Sequence, residues 1–455
     1  MTDNGADSVI ESRIAKADHA EGLGSLDLTS ELGVTGLHMS GGQVVDTKLK
    51  QLRGHRRALA IFAEMARYDD VVGGMLYAVE MIIRQLPWRT DPGGDTPPDR
   101  EAADFIESLR LDMSSSWEDS IAEILSMIWA GFSYHEIVYK RREGFKGLEP
   151  GQSSRFNDGK IGWRKLPIRG QQSLERWSMD EEGGLNGMFQ RNPNPMSGSR
   201  PAVIFIPIEK ALLFRPHVDR GSPEGRSMLE RAFISWYYKK QLTTIEAIGI
   251  ERDATGMPVA WVPSKILANN ASGDDKATLL TIKEMVVNIR RDEQEGFVIP
   301  LEYDEKGNKL FDLTLLTSGG RRQIDVGKAI MRHNRGIAAA VMAQFILMGD
   351  GEGGSLAMHK DKTELFLVGL GALVGEIKSV FNRHAIPRVL ALNGMSVENP
   401  PHYEHGDIHQ VDLAELGDFL GKLTAAGAPL FPDDELENHL RGIANLPEKA
   451  EETVL

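Results

Sequence analysis

Residues 319–349 read GGRRQIDVGKAIMRHNRGIAAAVMAQFILMG, and residues 355–394 read SLAMHKDKTELFLVGLGALVGEIKSVFNRHAIPRVLALNG. Between them lies the glycine-rich link Gly349-Asp350-Gly351-Glu352-Gly353-Gly354-Ser355. In the second stretch Phe366, Leu370, Leu373, Ile377 and Val380 recur every three or four positions, the spacing of one helix face. In the first, Lys328, Arg332 and Arg335 accompany the small apolar run Ile337–Val341. The spacing predicts a basic helix from Gln323, a loop, and a long amphipathic helix. Glycine tolerates many backbone conformations, so the loop is free to flex. It is not a phosphate loop, because that pattern needs G-x-x-x-x-G-K-[ST] and Ser355 follows Gly354 without the lysine.

Working outward, the segments GFSYHEIVYKRREG (131–144), IGWRKLPIRG (161–170) and SPEGRSMLERAFISWYYKK (222–240) precede this core, and LFPDDELENHL (430–440) follows it. In this order and spacing the chain resembles the portal proteins of tailed bacteriophages, particularly the Mu-like branch, from about Arg57 onward. The resemblance implies an α+β, mainly helical portal fold with wing, stem, clip and crown regions, assembling as a ring.

Composition bounds the answer independently. A chain of 455 residues is too long for one ordinary core and predicts two to four structural regions. Hydrophobic residues at 41% and charged residues at 26% are globular values. Cysteine is absent, which excludes disulfides, thiol nucleophiles and thiolate metal sites and fits a reducing compartment. The longest apolar run, Gly336–Gly349, contains Gln344 and falls short of the ~18 to 20 apolar residues that span a bilayer, so no membrane contact is expected. Met1–Ala20 is polar and acidic, unlike a secretory signal. The net charge of −14 argues against a broad cationic grip on nucleic acid, though not against a weakly adhesive channel.

Residues 1–50 lack an apolar period and read as a flexible N-terminal arm. Helical stripes follow through Leu59, Phe62, Ala63 and Ala66, then through Val72, Leu76, Val79 and Ile83 until Pro87, and through Ile121, Ile124, Leu125 and Ile128. Strands are expected at Tyr134–Lys140, Lys160–Leu166 and Val203–Ile208, with 141–159 as a surface loop. At 222–250, Ser222 and Pro223 read as a helix start, with Leu229, Phe233, Trp236, Tyr237, Ile245 and Ile248 on one face. Leu279, Ile282, Val286 and Ile289 mark another helix. Phe297–Ile299 and Leu310–Leu316 flank a turn and read as a hairpin.

Mapped onto the resembled family, 51–221 is the wing, with its helices and a small mixed sheet, and 222–252 is the first stem helix. The clip is 253–275, the second stem helix 276–292, and a wing hairpin 293–318. Residues 319–394 hold the tunnel helix, tunnel loop and long helix, and 395–455 is the C-terminal crown region.

Candidate site residues follow from the same mapping. Arg321, Arg322, Lys328, Arg332 and Arg335 would touch phosphates at the inner wall or pair with acidic neighbours between subunits, and the second role is favoured because a charge run is usually a solvated or paired face. The link Gly349, Asp350, Gly351, Glu352, Gly353, Gly354 and Ser355 would flex against passing DNA. His402, His405 and His409 lie near Glu404 and Asp407, but Pro400, Pro401 and Gly406 argue against a rigid frame, so a surface loop without metal is expected. No nucleophile elbow, triad order or spaced carboxylate cluster stands out, so no catalytic residue and no cofactor is expected.

The resemblance implies a noncatalytic virion component assembled in the host bacterial cytoplasm. Its partners would be further copies of itself in a ring of twelve, the major capsid protein, the large terminase, the head-tail adaptor and double-stranded DNA. The competing readings are another oligomeric tail or baseplate protein, or a packaging-motor component. The latter needs a phosphate loop and an acidic magnesium ligand.

Overall fold

The computed structural model describes residues 34–45, 49–146, 153–192, 201–255, 257–269, 271–288, 311–316, 326–342 and 356–408, with a few isolated positions. The helices are α1 (His55–Tyr68), α2 (Asp70–Arg84), α3 (Pro97–Asp112), α4 (Trp117–Ile124), α5 (Met127–Ala130), α6 (Phe233–Thr255), α7 (Ser264–Leu267), α8 (Gly273–Asn288), α9 (Val326–Ala340), α10 (Leu356–Val380) and α11 (Ile386–Leu392). The strands are β1 (Met39–Ser40), β2 (Gln43–Val44), β3 (Trp88–Asp91), β4 (Ser133–Glu136), β5 (Val138–Arg141), β6 (Ile161–Lys165), β7 (Leu174–Met179), β8 (Leu185–Arg191), β9 (Val203–Pro207), β10 (Ala211–Phe214), β11 (Met257–Trp261), β12 (Asp312–Leu316) and β13 (His402–His405). The chain divides into two units, one of residues 1–61, 88–227 and 375–404, the other of 62–87, 228–374 and 405–455.

The first unit joins short antiparallel sheets to helices through two aromatic clusters. In one, Trp88, Trp117, Trp163, Phe381 and Tyr403 are buried together, with the Trp117 and Phe381 ring centroids 4.9 Å apart. The Tyr403 hydroxyl donates to the Ile106 carbonyl at 3.2 Å, and Arg110 lays its guanidinium over the Trp117 ring. The second cluster gathers Phe132, Tyr134, Leu174, Trp177, Met188 and Ile206 around the β7-β8-β9 sheet. Local chemistry sets the helix starts. Thr96 and Asp99 form a capping box before Pro97 opens α3, and the Ser116 hydroxyl accepts from the Asp119 N–H to cap α4. Gly131, at φ +93°, ends α5 in the left-handed conformation.

Several expectations are corrected in this unit. The apolar stripe at 121–128 belongs to two helices, because the chain breaks between α4 and α5. Tyr134–Lys140 is two strands rather than one. β4 pairs with β10 and β5 with β6, so neighbouring residues serve different sheets. Helix α3 lies in a stretch for which no helix was expected. The 141–159 segment is not simply a surface loop. Arg142 and Ser154 are buried, and the Asp112 carboxylate accepts from the Ser154 hydroxyl at 2.7 Å and from the Arg155 N–H at 2.7 Å. Nor is the end of the 1–50 arm without structure, since β1 and β2 form a hairpin whose Gly42 carbonyl accepts from the Trp177 N–H.

The second unit holds α2, α6, α8 and α9 with the antiparallel pair of β11 and β12. Asp69 caps α2, its Oδ1 accepting from the N–H groups of Val71 and Val72. Helix α6 begins at Phe233, not at Ser222. Ser222 is buried instead, its hydroxyl accepting from the Glu224 N–H and its carbonyl from Arg215, so its polar groups are used in a turn. β12 pairs with β11 over its whole length, from Met257↔Leu316 to Trp261↔Asp312. Of the hairpin expected between Leu310–Leu316 and Phe297–Ile299, the described part is an antiparallel bridge between Tyr303 and Lys309 across the turn. Phe297–Ile299 itself lies outside the described residues, as do most of 411–455.

Candidate functional site

Helix α9 carries the described part of the basic candidate set. Lys328, Arg332 and Arg335, spaced by four and three residues, share its exposed face, while Ile337 and Ala338 are buried. The buried side is held against α6 by close approach. A Cβ added at Gly336 would come within 2.6 Å of the Ser235 Oγ, so any larger residue there requires that hydroxyl to turn away. One turn earlier the His333 ring stacks on Tyr238 with centroids 6.0 Å apart. Burial, and then the neighbouring Arg332 charge, hold the His333 pKa below its ordinary value, so the ring stays neutral near pH 7.

A second anchor ties α6 to α2. The Lys239 ammonium bonds the buried Asp69 carboxylate at 2.8 Å and also pairs with Asp70. Burial alone would raise the Asp70 pKa, but the hydrogen bond and charge of Lys239 outweigh it and hold the carboxyl below its usual range. The acid pair before an apolar period is visible in sequence as a helix start. Its lysine partner lies about 170 residues away and has no local signal.

Beyond these anchors α6 runs out into solvent with its apolar side chains uncovered. Leu229, Phe233 and Trp236 are buried, but Ile245 is 57% exposed, Ile248 43% and Ile250 64%. Leu280 on α8 and Trp261 on β11 are likewise exposed. The single apolar face expected across 229–248 is therefore buried only at its start.

Arg321, Arg322 and the link 349–355 lie outside the described residues. Helix α10 begins just after that link, and its Phe366, Leu370, Leu373, Ile377 and Val380 are all buried. His402 and His405 do not sit in a loop. They occupy β13, where strand alternation points them to opposite faces, and His409 lies outside the described residues. Among the described residues no cluster of three or more metal-ligating side chains occurs, and no helix is long and apolar enough to cross a membrane.

Among solved structures, the chain is similar to the neck of an empty GTA particle computed with C6 symmetry, at 13% identity and TM-score 0.47, covering 85% of this chain and 94% of that one. The neck of the native GTA particle, computed with C12 symmetry, gives 13% identity, TM-score 0.47 and coverage of 86% and 94%. An HK97 family phage portal protein from Corynebacterium diphtheriae gives 13% identity, TM-score 0.40 and coverage of 78% and 96%. In sequence, the model of the portal protein of Mu bacteriophage matches residues 59–441, which takes in the strands from β3 to β13 together with α6, α9 and α10. The chain therefore belongs to the family of the portal protein of Mu bacteriophage, a structural component of the phage particle.

Proposed function

We propose that this chain works as one subunit of a twelve-membered ring at a capsid vertex, through which double-stranded DNA is packaged and later ejected. The ring docks the large terminase during packaging, receives the head-tail adaptor afterwards, and is held by the major capsid protein. The observation that carries this reading is the family match over residues 59–441. The uncovered isoleucines of α6 add to it, because an exposed apolar stripe of this kind calls for a covering surface, which further copies of the chain would supply.

In this reading the chemistry is geometric and noncatalytic. Lys328, Arg332 and Arg335 stand exposed on a chain of net charge −14, so carboxylates of a neighbouring copy are their preferred partners over a duplex that must slide. In the same reading Arg321 and Arg322 share that role, and Gly349–Ser355 is the link that meets passing DNA. Assembly takes place in the host cytoplasm, before DNA enters the head.

Negative-stain images of the purified chain test the reading directly. A ring with a central hole and radial projections is expected, and single chains or solid clusters under assembly conditions would end it. A salt titration tests the wall. Duplex binding is expected to be weak, whereas tight and steeply salt-dependent binding would contradict a sliding surface.

A further inference from the structure

Between α10 and α11 the helix passes through a π-helical turn, Phe381–Ala385. Such insertions re-aim the side chains around them and recur at functional sites. One side of this turn has a structural role. Asn382 clamps β13, its Oδ1 accepting from the Tyr403 N–H at 2.8 Å and its Nδ2 donating to the Tyr403 carbonyl at 3.2 Å. The next two residues, Arg383 and His384, are exposed.

Two half-buried arginines flank them. Arg388 lies four residues beyond His384 and donates to the Ala211 carbonyl at 2.7 Å. Arg215 follows β10, whose Phe214 packs on Phe381 with centroids 5.6 Å apart, and it donates to the Ser222 carbonyl at 2.7 Å. Both guanidiniums are thus held by neutral carbonyls, and the Arg215 Nε is buried without a hydrogen-bond partner. Among the described residues none of the three arginines forms an ion pair.

The nearest opposing groups are Glu376 on α10, which acts on Arg215, and Glu209 with the phenols of Tyr134 and Tyr139, which act on Arg388. Partial shielding from water first, and then the charges of Arg388, Arg383 and Arg215, hold the His384 pKa below its ordinary value. Gathering like charges in a half-buried place is costly unless an anion lies among them.

We propose that Arg215, Arg383, His384 and Arg388 form a binding site for a phosphate-class oxyanion, either the free ion or a phosphodiester group. Guanidinium forks match the oxygens of such an anion, and charge-assisted hydrogen bonds of this kind are strong. An anion there removes the repulsion on His384, which then takes up a proton and becomes a further donor. The site belongs to one chain, so it fills whether or not the ring forms.

Calorimetric titration of the full chain with inorganic phosphate, in two buffers of different ionisation enthalpy, tests this. A parallel arm uses a short DNA duplex. Saturable phosphate binding is expected, weakened roughly tenfold in Arg383→Gln, with a proton uptake in the native chain that His384→Gln loses. Both side chains are exposed, so unchanged thermal melting should confirm that the variants fold. Arg383→Gln sensitivity in both arms assigns the site to phosphodiesters, and sensitivity in the phosphate arm alone assigns it to the free ion. Absence of phosphate binding, or binding indifferent to both substitutions, overturns the proposal.

Discussion

The aromatic cluster of the first unit and the outer half of α6 in the second use the same kinds of side chain in opposite ways. Trp117 meets Trp88, Phe381 and Tyr403 within ring-contact distance and is 5% exposed. Ile245, Ile248 and Ile250 leave about half of each side chain in water. The first arrangement is complete within one chain. The second is complete only if something else covers it, and a helix of 23 residues, about 34 Å long, is a large element to leave half-covered.

The comparison breaks first at the cluster. Trp117→Ala removes the ring at its centre and should cost about 3–5 kcal/mol, because rigid neighbours cannot collapse into the gap. Chemical denaturation should show the loss, and a cost below about 1 kcal/mol would mean that the cluster is loosely packed.

Acid should weaken the same unit by a separate route. His135 is fully buried, its Nδ1 bonded to the Leu166 carbonyl at 2.8 Å and its Nε2 to the Ser133 hydroxyl at 2.6 Å. The carbonyl requires Nδ1 to carry the proton, which leaves Nε2 to accept. Burial lowers the His135 pKa to about 4, with the Leu166 bond opposing and the Arg169 charge adding to the fall. Between that value and the unfolded pKa of about 6.5, the unfolded chain binds the extra proton and the folded chain does not. This contribution is therefore fully present above pH 6.5, falls as pH drops toward 4, and levels off below, about 3 kcal/mol in all. Stability measured across this window should slope upward with pH, and His135→Gln should flatten the slope whatever it does to the absolute value.

How much of this was readable beforehand depended on the range of the interaction. The buried faces of α1, α4 and α10 follow local periodicity, so Phe62, Ile121 and Phe366 were identifiable as core from their spacing alone. The start of α6 was misplaced because a serine before a proline has the same local chemistry whether it caps a helix or closes a turn. Only the bonds the turn makes, from Arg215 to the Ser222 carbonyl and from the Glu224 N–H to its hydroxyl, distinguish the two. The division of 133–141 into two strands and the Lys239 anchor on Asp69 depend instead on partners far away in sequence. At the candidate site the basic face of α9 was visible as a charge pattern, whereas the Arg215, Arg383, His384 and Arg388 cluster joins two segments about 170 residues apart and leaves no pattern in either.

The junction of α6 and α9 should respond more gently than the aromatic cluster. Gly336→Ala pushes a methyl group against the Ser235 Oγ unless that hydroxyl turns away, which opposes the roughly 1 kcal/mol that alanine gains over glycine inside a helix, so any net loss should stay below about 1 kcal/mol. Pairing the change with Ser235→Ala removes the clashing hydroxyl and should recover that loss. A double-mutant cycle that finds the two changes additive would show that the helices do not approach as closely as described.

The smallest effect on the chain itself is expected where the consequence for assembly is greatest. Ile248 is 43% exposed, and replacing it with asparagine removes little that the single chain buries, so its unfolding free energy should move by no more than about 0.5 kcal/mol. If other copies cover α6, the same substitution places a polar amide in the covered surface, and particles should fall apart in sedimentation at concentrations where the native chain stays assembled. The two readouts must separate for the contrast to hold. A large loss of chain stability would mean that Ile248 already belongs to a core, and intact particles would mean that this face of α6 looks onto solvent in the finished assembly.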